Sequence, residues 1–396
     1  MIERWKKKLN LTQNQVLWIA ASVLAAVVLG SVLFDKPDLP PLPADAVDPE
    51  TVVETLDGRV QRVLSEETIE SGSATYTVQQ VEVEIASGEL AGQVVSTESG
   101  SPFAAGTTPR LRPGMRVIVG HTAGPTGERF YIADVNRHAA VFWLLALFIG
   151  VTIAIGRWTG VRSLLGLGLS VFVLAQFILP RILVGQSPVW VSIVGAVLLA
   201  LPSLYLVYGL GPKTHAAALG MTASLLVTWG LAALWSRWAH LTGFGSDEGT
   251  FLTIATGGQV SLSGVMLAGI VIGTLGVLDD IAVGQASAIL QLHAANPGLS
   301  RMALFRRGMS VGRDHIASMV NTLVLAYAGA SLPLLLLLAL YQEPLLPTLN
   351  RELFVAEIVR TLVGSVGLML AVPLTSLVAS GLAIRISPNP DHPPVA

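Results

Sequence analysis

About eight apolar runs, each long enough to cross roughly 30 Å of lipid hydrocarbon, divide this sequence. Of its 396 residues, 52% are hydrophobic and only 13% are charged, whereas a soluble domain usually carries about a quarter charged residues. The sequence therefore predicts a mainly α-helical polytopic membrane protein with the lipid bilayer as its principal partner. The predicted spans are Val16–Phe34, Ala139–Ile155, Arg162–Leu183, Val189–Tyr208, Ala216–Trp235, Ser261–Ile281, Ile316–Leu340 and Ile358–Ile384.

Several classes of function lack the residues they require. The net charge of −2 gives no basic excess for nucleic acid, and the absence of cysteine excludes disulfides, thiolate metal sites and thiol catalysis. His293 and His315 are isolated, and no metalloprotease, serine-hydrolase or nucleotide-binding motif occurs. We therefore expect no enzyme activity, no metal site and no cofactor.

The chain divides by composition into five parts. Residues 1–34 form a cytoplasmic N-terminus and an uncleaved anchor, since the apolar part is long for a signal peptide, although Ala44-Asp45-Ala46 is a weak cleavage site. Residues 35–50 are a stiff proline-rich spacer. Residues 51–137 are polar and strand-like, residues 138–386 hold seven spans, and residues 387–396 form a cytoplasmic tail.

The segment between the first two spans predicts a small extracytoplasmic β-barrel-like domain. Val81, Val83 and Ile85 alternate strictly with glutamates, which is typical of a half-buried strand. A docking module for an envelope partner and a spacer that stabilises assembly are both compatible with this pattern. An apolar exterior would favour docking.

Basic residues beside the spans predict the orientation. Cytoplasmic termini place Arg301, Arg306, Arg307 and Arg313 together in one inner loop, as expected in a bacterial cytoplasmic membrane. That loop precedes the seventh predicted span.

Two adjacent acids, Asp279 and Asp280, stand in a region otherwise free of formal charge from Ser261 to Leu292. On a helix, Asp280 joins a small and polar stripe within roughly 80°, whereas Asp279 lies about 100° away. We therefore expect Asp280 to face the protein interior as a transport-pathway residue, and Asp279 to point elsewhere or mark the inner boundary. The stripe comprises Gly269, Gly273, Gly276, Asp280, Gly284, Ser287 and Gln291, and its glycines are predicted to pack against another helix.

The seventh span adds further polar candidates. Asp314 would cap its N-terminus and form an inner gate or brace with Arg313, and Asn321 would line a polar path with Asp280. The alternative for Asn321 is a hydrogen bond that only holds helices together. Gly364 and Gly367 give the last span a small packing face.

Three prolines inside predicted spans mark candidate helix breaks. Pro202, Pro333 and Pro373 each remove a backbone donor and free a carbonyl four residues earlier. Such a carbonyl can bind an ion, or the proline can simply kink the helix.

Three blocks of the sequence are informative together: IVIGTLGVLDDIAVGQASAILQL, LFRRGMSVGRDHIASMVNTLVLAYAGASLPLLLL and GRWTGVRSLLGLGLS. These blocks resemble the YibE/F family of bacterial multi-pass membrane proteins. The resemblance spans about Arg129 to Ser380. In it, Asp280 corresponds to a single family aspartate preceded by Asn or Met, so Asp279 is a departure. The resemblance implies a cytoplasmic-membrane protein and supplies no activity.

Together these features favour a permease for an ion or small solute, coupled to protons through a buried aspartate. The alternative is a non-transport envelope scaffold that recruits a partner through residues 51–137. The glycine faces are compatible with a homo-oligomer and equally with packing inside one subunit.

Overall fold

The computed structural model describes residues 52–71, 74–100, 109–124, 127–245, 247–340 and 344–385. The predicted first span Val16–Phe34, the spacer 35–50 and the tail 387–396 lie outside these residues. The chain divides into two compact units at Thr152.

The first unit is a five-stranded antiparallel sheet in the order β3-β2-β1-β4-β5. The edge strands approach each other, because the Thr97 hydroxyl of β3 donates to the Phe130 carbonyl of β5 at 2.7 Å. Val81, Val83 and Ile85 are buried, which confirms the predicted alternation. The predicted β-barrel-like domain is therefore a curled antiparallel sheet. Its strands are β1 Val52–Ser71, β2 Ala74–Ile85, β3 Val94–Ser99, β4 Arg116–Gly124 and β5 Gly127–Val135.

The two longest strands continue beyond the curled sheet as a ribbon. In the described pairing, β4 pairs with β1 only as far as Arg59, and β3 pairs with β2 only from Gln79 onward. Residues 67–71 and 74–78 therefore pair only with each other in the described sheet. Ile69 of β1 is exposed in this ribbon, and Leu64 is exposed just before it.

The second unit contains the apolar helices, apart from residues 138–152 at the beginning of the first helix, which belong to the first unit. Five described helices are long and apolar enough to cross a membrane, and a bent pair brings the number to six. The helices are α1 His138–Val173, α2 Leu179–Leu183, α3 Pro188–Tyr208, α4 Pro212–Trp238, α5 Asp247–Ala255, α6 Leu262–Ala295, α7 Arg301–Ala330, α8 Leu332–Leu340, α9 Leu345–Leu349 and α10 Glu352–Ala383.

The second and third predicted spans are not separated by a loop. A π-helical turn, Leu174–Ile178, joins α1 to α2, and the helical segment runs for 46 residues from His138 to Leu183. At about 1.5 Å per residue this is roughly twice the thickness of the hydrocarbon. The segment breaks at Arg157, whose φ of 49° and ψ of −128° are not helical. The break replaces the connection that the sequence predicts.

The seventh predicted span also differs from expectation. Helix α7 begins at Arg301, where the Ser300 hydroxyl accepts from the Ala303 N–H, so the prediction that Asp314 caps the helix is wrong. Asp314 lies inside α7 because the helix incorporates most of the predicted basic loop. Helices α7 and α8 then meet at Ser331 with a 71° bend.

The core of the second unit lies where α4, α6 and α10 pack together. Close approach depends on glycine at two positions of α10 and α4: Gly367 lies against Thr228, and Gly220 lies against Thr375. The Ser224 hydroxyl also donates to the Gly367 carbonyl at 2.5 Å, which ties α4 to α10. These short approaches place backbone against backbone without large intervening side chains.

Candidate functional site

Asp279 and Asp280 line one cavity of about 480 Å³, which we call the acidic cavity. Helix α6 contributes both acids, and α1 and α3 supply most of the remaining wall. Its polar lining residues are Ser163, Ser170, Ser203, Tyr208, Asp279 and Asp280.

The two acids differ in burial, in the order opposite to the prediction. Asp280 is exposed, whereas Asp279 is half-buried. The Oδ1 atom of Asp279 is shielded from solvent and has no hydrogen-bond partner among the described residues. Asp279, and not Asp280, is therefore the acid on the interior side of the helix.

Asp280 was predicted to face the interior because it shares a helix face with the glycine stripe of α6. No described atom lies within 4 Å of the Cβ position of Gly269, Gly273, Gly276 or Gly284. The stripe is thus an open face in the described structure, and the prediction that these glycines pack against a helix is wrong there. Larger side chains form the packed side of α6, namely Thr274, Leu278, Ile281, Ala282, Gln285 and Ile289.

Other glycines do lie at helix contacts. Gly364 approaches Thr274 and Tyr327, and Gly367 approaches Thr228. On α7, Gly308 approaches Ile289 of α6, a contact that the sequence reasoning missed.

The hydroxyl residues of the acidic cavity were also missed. Ser163 and Ser170 lie seven residues apart, which places them on one face of α1. Ser203 and Tyr208 come from the C-terminal half of α3, and Ser203 directly follows the predicted helix break at Pro202. The seven-residue serine spacing was the available sequence signal.

The predicted partners on α7 do not reach this cavity. Arg313, Asp314 and Asn321 are exposed and line no part of it. The Arg313 Nε–H donates to the Met309 carbonyl of its own helix at 3.3 Å. The packed side of α7 carries Gly308, Gly312, Met319 and Leu323, so the polar candidates occupy a different side. The predicted path from Asp280 to Asn321 is therefore not formed in this structure.

The C-terminal part of the stripe is likewise separate. Gln291 donates to the Ser287 hydroxyl at 3.5 Å, and neither residue lines the acidic cavity. The buried polar residue in this region is Gln285, which donates to the Gly308 carbonyl and the Ser376 hydroxyl, both at 2.8 Å. These bonds join α6 to α7 and α10.

The three prolines that were predicted to break helices occupy different positions in their helices. Pro202 and Pro373 lie inside α3 and α10. Pro333 lies in the first turn of α8, just after the 71° bend, where a missing N–H costs little. The Glu357 carboxylate accepts from the Ser331 hydroxyl at 2.9 Å and from Arg360 at 2.8 Å, which ties this bend to α10.

The acidic cavity has the chemistry of a site for a proton or a cation. Two carboxylates and several hydroxyl oxygens are available, and no lysine, arginine or histidine is among the described residues that line it. The described residues contain no cluster of three or more His, Cys, Asp or Glu. A cation would therefore be held by the two aspartates together with hydroxyl oxygens, which are hard ligands.

Comparison with known proteins gives one match. The family of YibE/F-like proteins matches residues 144–385, well over half of the chain. No curated protein and no solved structure matches. The matched region covers the helical unit with its acidic cavity and leaves out the β-sheet unit. The chain therefore belongs to the YibE/F-like family.

Proposed function

We propose that this protein is a membrane permease for an ion or small solute, in which the acidic cavity binds the transported or coupling cation, including a proton. The observation that carries the proposal is Asp279: a carboxylate oxygen on an apolar helix, shielded from solvent and without a hydrogen-bond partner among the described residues.

An ionised carboxylate in apolar surroundings is expensive unless it is paired or hydrogen-bonded. The described residues that line the cavity include no basic side chain that could neutralise Asp279. The Lys213 ammonium lies 4.8 Å from the ring of Tyr208, which lines the cavity, but Lys213 itself is not among the described lining residues. Binding of a proton or a metal cation would remove this cost.

The unequal exposure of the two acids supports different roles. Asp280 lies on the open side of the cavity and is positioned to attract a cation from solvent. Asp279 lies deeper and would hold the cation, with Ser163, Ser170 and Ser203 as oxygen donors. Access to the site would then pass along the open glycine face of α6.

We also propose a cellular location and a membrane orientation for the protein. The apolar helices favour insertion into a bilayer, and the basic residues of the N-terminal half of α7 favour a cytoplasmic position for that end. Both termini would be cytoplasmic, and the β-sheet unit would lie on the opposite side of a bacterial cytoplasmic membrane.

The test is flux into proteoliposomes that contain the purified full-length chain. Proton and alkali-cation movement would be followed with entrapped dyes for wild type, Asp279→Asn, Asp280→Asn and Asp314→Asn. We expect at least a tenfold loss for Asp279→Asn and a smaller loss for Asp280→Asn. Asp314→Asn is the matched control, since this carboxylate lies outside the cavity, and it should retain wild-type flux. Unchanged flux in Asp279→Asn would refute the assignment.

The β1–β2 ribbon favours a second function, partner recruitment in the envelope. It extends beyond the curled sheet and exposes Ile69, and Leu64 is exposed on β1 just before the ribbon begins. Removing residues 51–137 separates the two functions. Retained flux with loss of a co-purifying complex would indicate both roles. Absence of flux in the intact chain together with a stable partner would favour the scaffold.

A further inference from the structure

A second cavity, of about 430 Å³, lies at the N-terminal ends of α3 and α6 and is lined differently from the acidic cavity. We call it the donor cavity. Its polar side chains include Trp229, Ser236 and Arg237 from α4, with His240, Gln259 and Ser263 from the adjoining segments. No aspartate or glutamate is among the described residues that line it.

Two long helices begin at this cavity. Helix α3 has 21 residues and starts at Pro188, and α6 has 34 residues and starts at Leu262. Their first turns touch, since the Cβ position of Gly264 lies 3.1 Å from Pro188 Cδ. The first-turn N–H groups of a helix lack intrahelical acceptors, and its N-terminus carries partial positive charge. Ser187 makes no side-chain cap for α3, whereas the Ser261 hydroxyl accepts from the Gly264 N–H of α6 at 3.3 Å, so the first turn of α3 is the one without a side-chain cap.

Two shielded polar atoms without described partners belong to residues that line this cavity. Ser236 is only 4% exposed, and its Oγ has no hydrogen-bond partner among the described residues. The Trp229 Nε1 is also shielded and unpartnered there, and an indole N–H can only donate. Buried polar atoms normally have partners, so two such atoms on one cavity wall indicate that a ligand supplies the acceptor.

The formal charge of the cavity is positive, like the partial charge at the helix N-termini. Arg237 lines it and is exposed, so its guanidinium is available to a ligand. With two helix N-termini, an indole N–H and several hydroxyl groups, the wall is rich in donors, and its described residues include no carboxylate. Among these residues a cation would find no negative group, whereas an anion would find donors from α3, α4 and α6. Hydrogen-bond donors that belong to three helices can surround the oxygens of a tetrahedral oxyanion better than those of a planar carboxylate.

We propose that the donor cavity binds a phosphate-type oxyanion, carried by a free solute or by a lipid headgroup. A phosphate group occupies only part of 430 Å³, so the rest of the cavity accommodates the remainder of the ligand or water. The exposed indoles of Trp235 and Trp238 at the same end of α4 are typical of the headgroup level of a bilayer. The site is independent of the acidic cavity and does not rest on transport.

The test uses the purified full-length chain in nanodiscs of phosphatidylcholine, titrated calorimetrically with inorganic phosphate. Arg237→Gln removes the charge, Trp229→Phe removes a donor with little change of shape, and Arg306→Gln removes a matched exposed charge on α7. We expect saturable binding in wild type and Arg306→Gln, and at least tenfold weaker binding in Arg237→Gln and Trp229→Phe. Circular dichroism reports whether each variant is folded.

A parallel arm identifies a lipid source. Native mass spectrometry after addition of phosphatidylglycerol should show a retained lipid in wild type that is lost in Arg237→Gln, if the phosphate belongs to a headgroup. Binding in either arm that requires Arg237 and Trp229 supports the site. Absence of both phosphate and phosphatidylglycerol binding in wild type, or equal loss in Arg306→Gln, would overturn it. Because neither arm measures flux, its result is separate from that of the permease test.

Discussion

Two glycine-to-alanine substitutions should have opposite effects on the stability of the helical unit. Gly367→Ala adds a methyl group where α10 meets α4, and Gly273→Ala adds the same group on the open face of α6. The chemical change is identical, so the difference between the variants reports only the surroundings.

The expected magnitudes follow from the contacts. A Cβ at position 367 would overlap Thr228 Oγ1 and lie 2.9 Å from Thr228 Cβ. Thr228 is fully buried, and its hydroxyl donates to the Ser224 carbonyl at 2.9 Å, so rotation would break that bond. Overpacking of this kind costs about 1–3 kcal/mol, and the better helix propensity of alanine offsets up to about 1 kcal/mol. At position 273 only the gain remains, up to about 1 kcal/mol.

Thermal unfolding of the purified chain in detergent, followed by circular dichroism, measures both effects. For a unit of this size, about 1 kcal/mol shifts Tm by roughly 2–4 °C. Gly367→Ala should lower Tm, and Gly273→Ala should leave it unchanged or raise it. In combination with Thr228→Ala, the Gly367→Ala effect should be less than additive, because the two residues touch. Equal destabilisation by Gly273→Ala would refute the reasoning, since it would mean that another segment packs on the α6 stripe.

Three further outcomes are expected. Gln285→Ala should cost about 1–3 kcal/mol, because it removes the buried hydrogen bonds to the Gly308 carbonyl and the Ser376 hydroxyl, whereas Gln291→Ala on the exposed side should be nearly neutral; the same unfolding assay compares them. In the β-sheet unit, the hydrogen bond from Arg137 lowers the pKa of the Asp134 carboxyl. This contribution to stability is present above the unfolded-state pKa of about 3.9 and is lost as the pH falls through the lower folded-state value. Arg137→Gln should therefore weaken the acid dependence of hydrogen exchange in β5, and an unchanged dependence would contradict the assignment. Glu352→Gln should speed hydrogen exchange in the loop after α4, where the carboxylate accepts from two backbone N–H groups and a hydroxyl at 2.6–2.7 Å; unchanged exchange would show that other contacts hold the loop.

The sequence located most of the apolar helices and the alternating strand β2, but it placed a connection inside α1 and a loop in the first half of α7. Long apolar runs predict the positions of the helices, since hydrophobicity over about 20 residues is a local property. The alternation at Val81, Val83 and Ile85 predicts a strand with one buried face for the same reason. The block around Asp280 also indicated the family that the comparison then showed.

The sequence did not determine which face of a helix packs. The 100° separation of Asp279 and Asp280 follows from helical geometry, but a helix can turn either residue toward its neighbours. The glycine stripe on α6 suggested packing, yet glycine is equally compatible with an open face. Burial of Asp279 depends on α1 and α3, which are distant in sequence.

Only the tertiary structure decided how the polar groups assemble into cavities. Ser163 of α1 and Ser203 of α3 join Asp279 because three helices meet, and the sequence contains no local signal for that meeting. The donor cavity likewise forms where the end of α4 meets the beginnings of α3 and α6. Local patterns fix the conformation of a segment, whereas a site depends on packing among segments far apart in the chain, and that packing is a property of the whole fold.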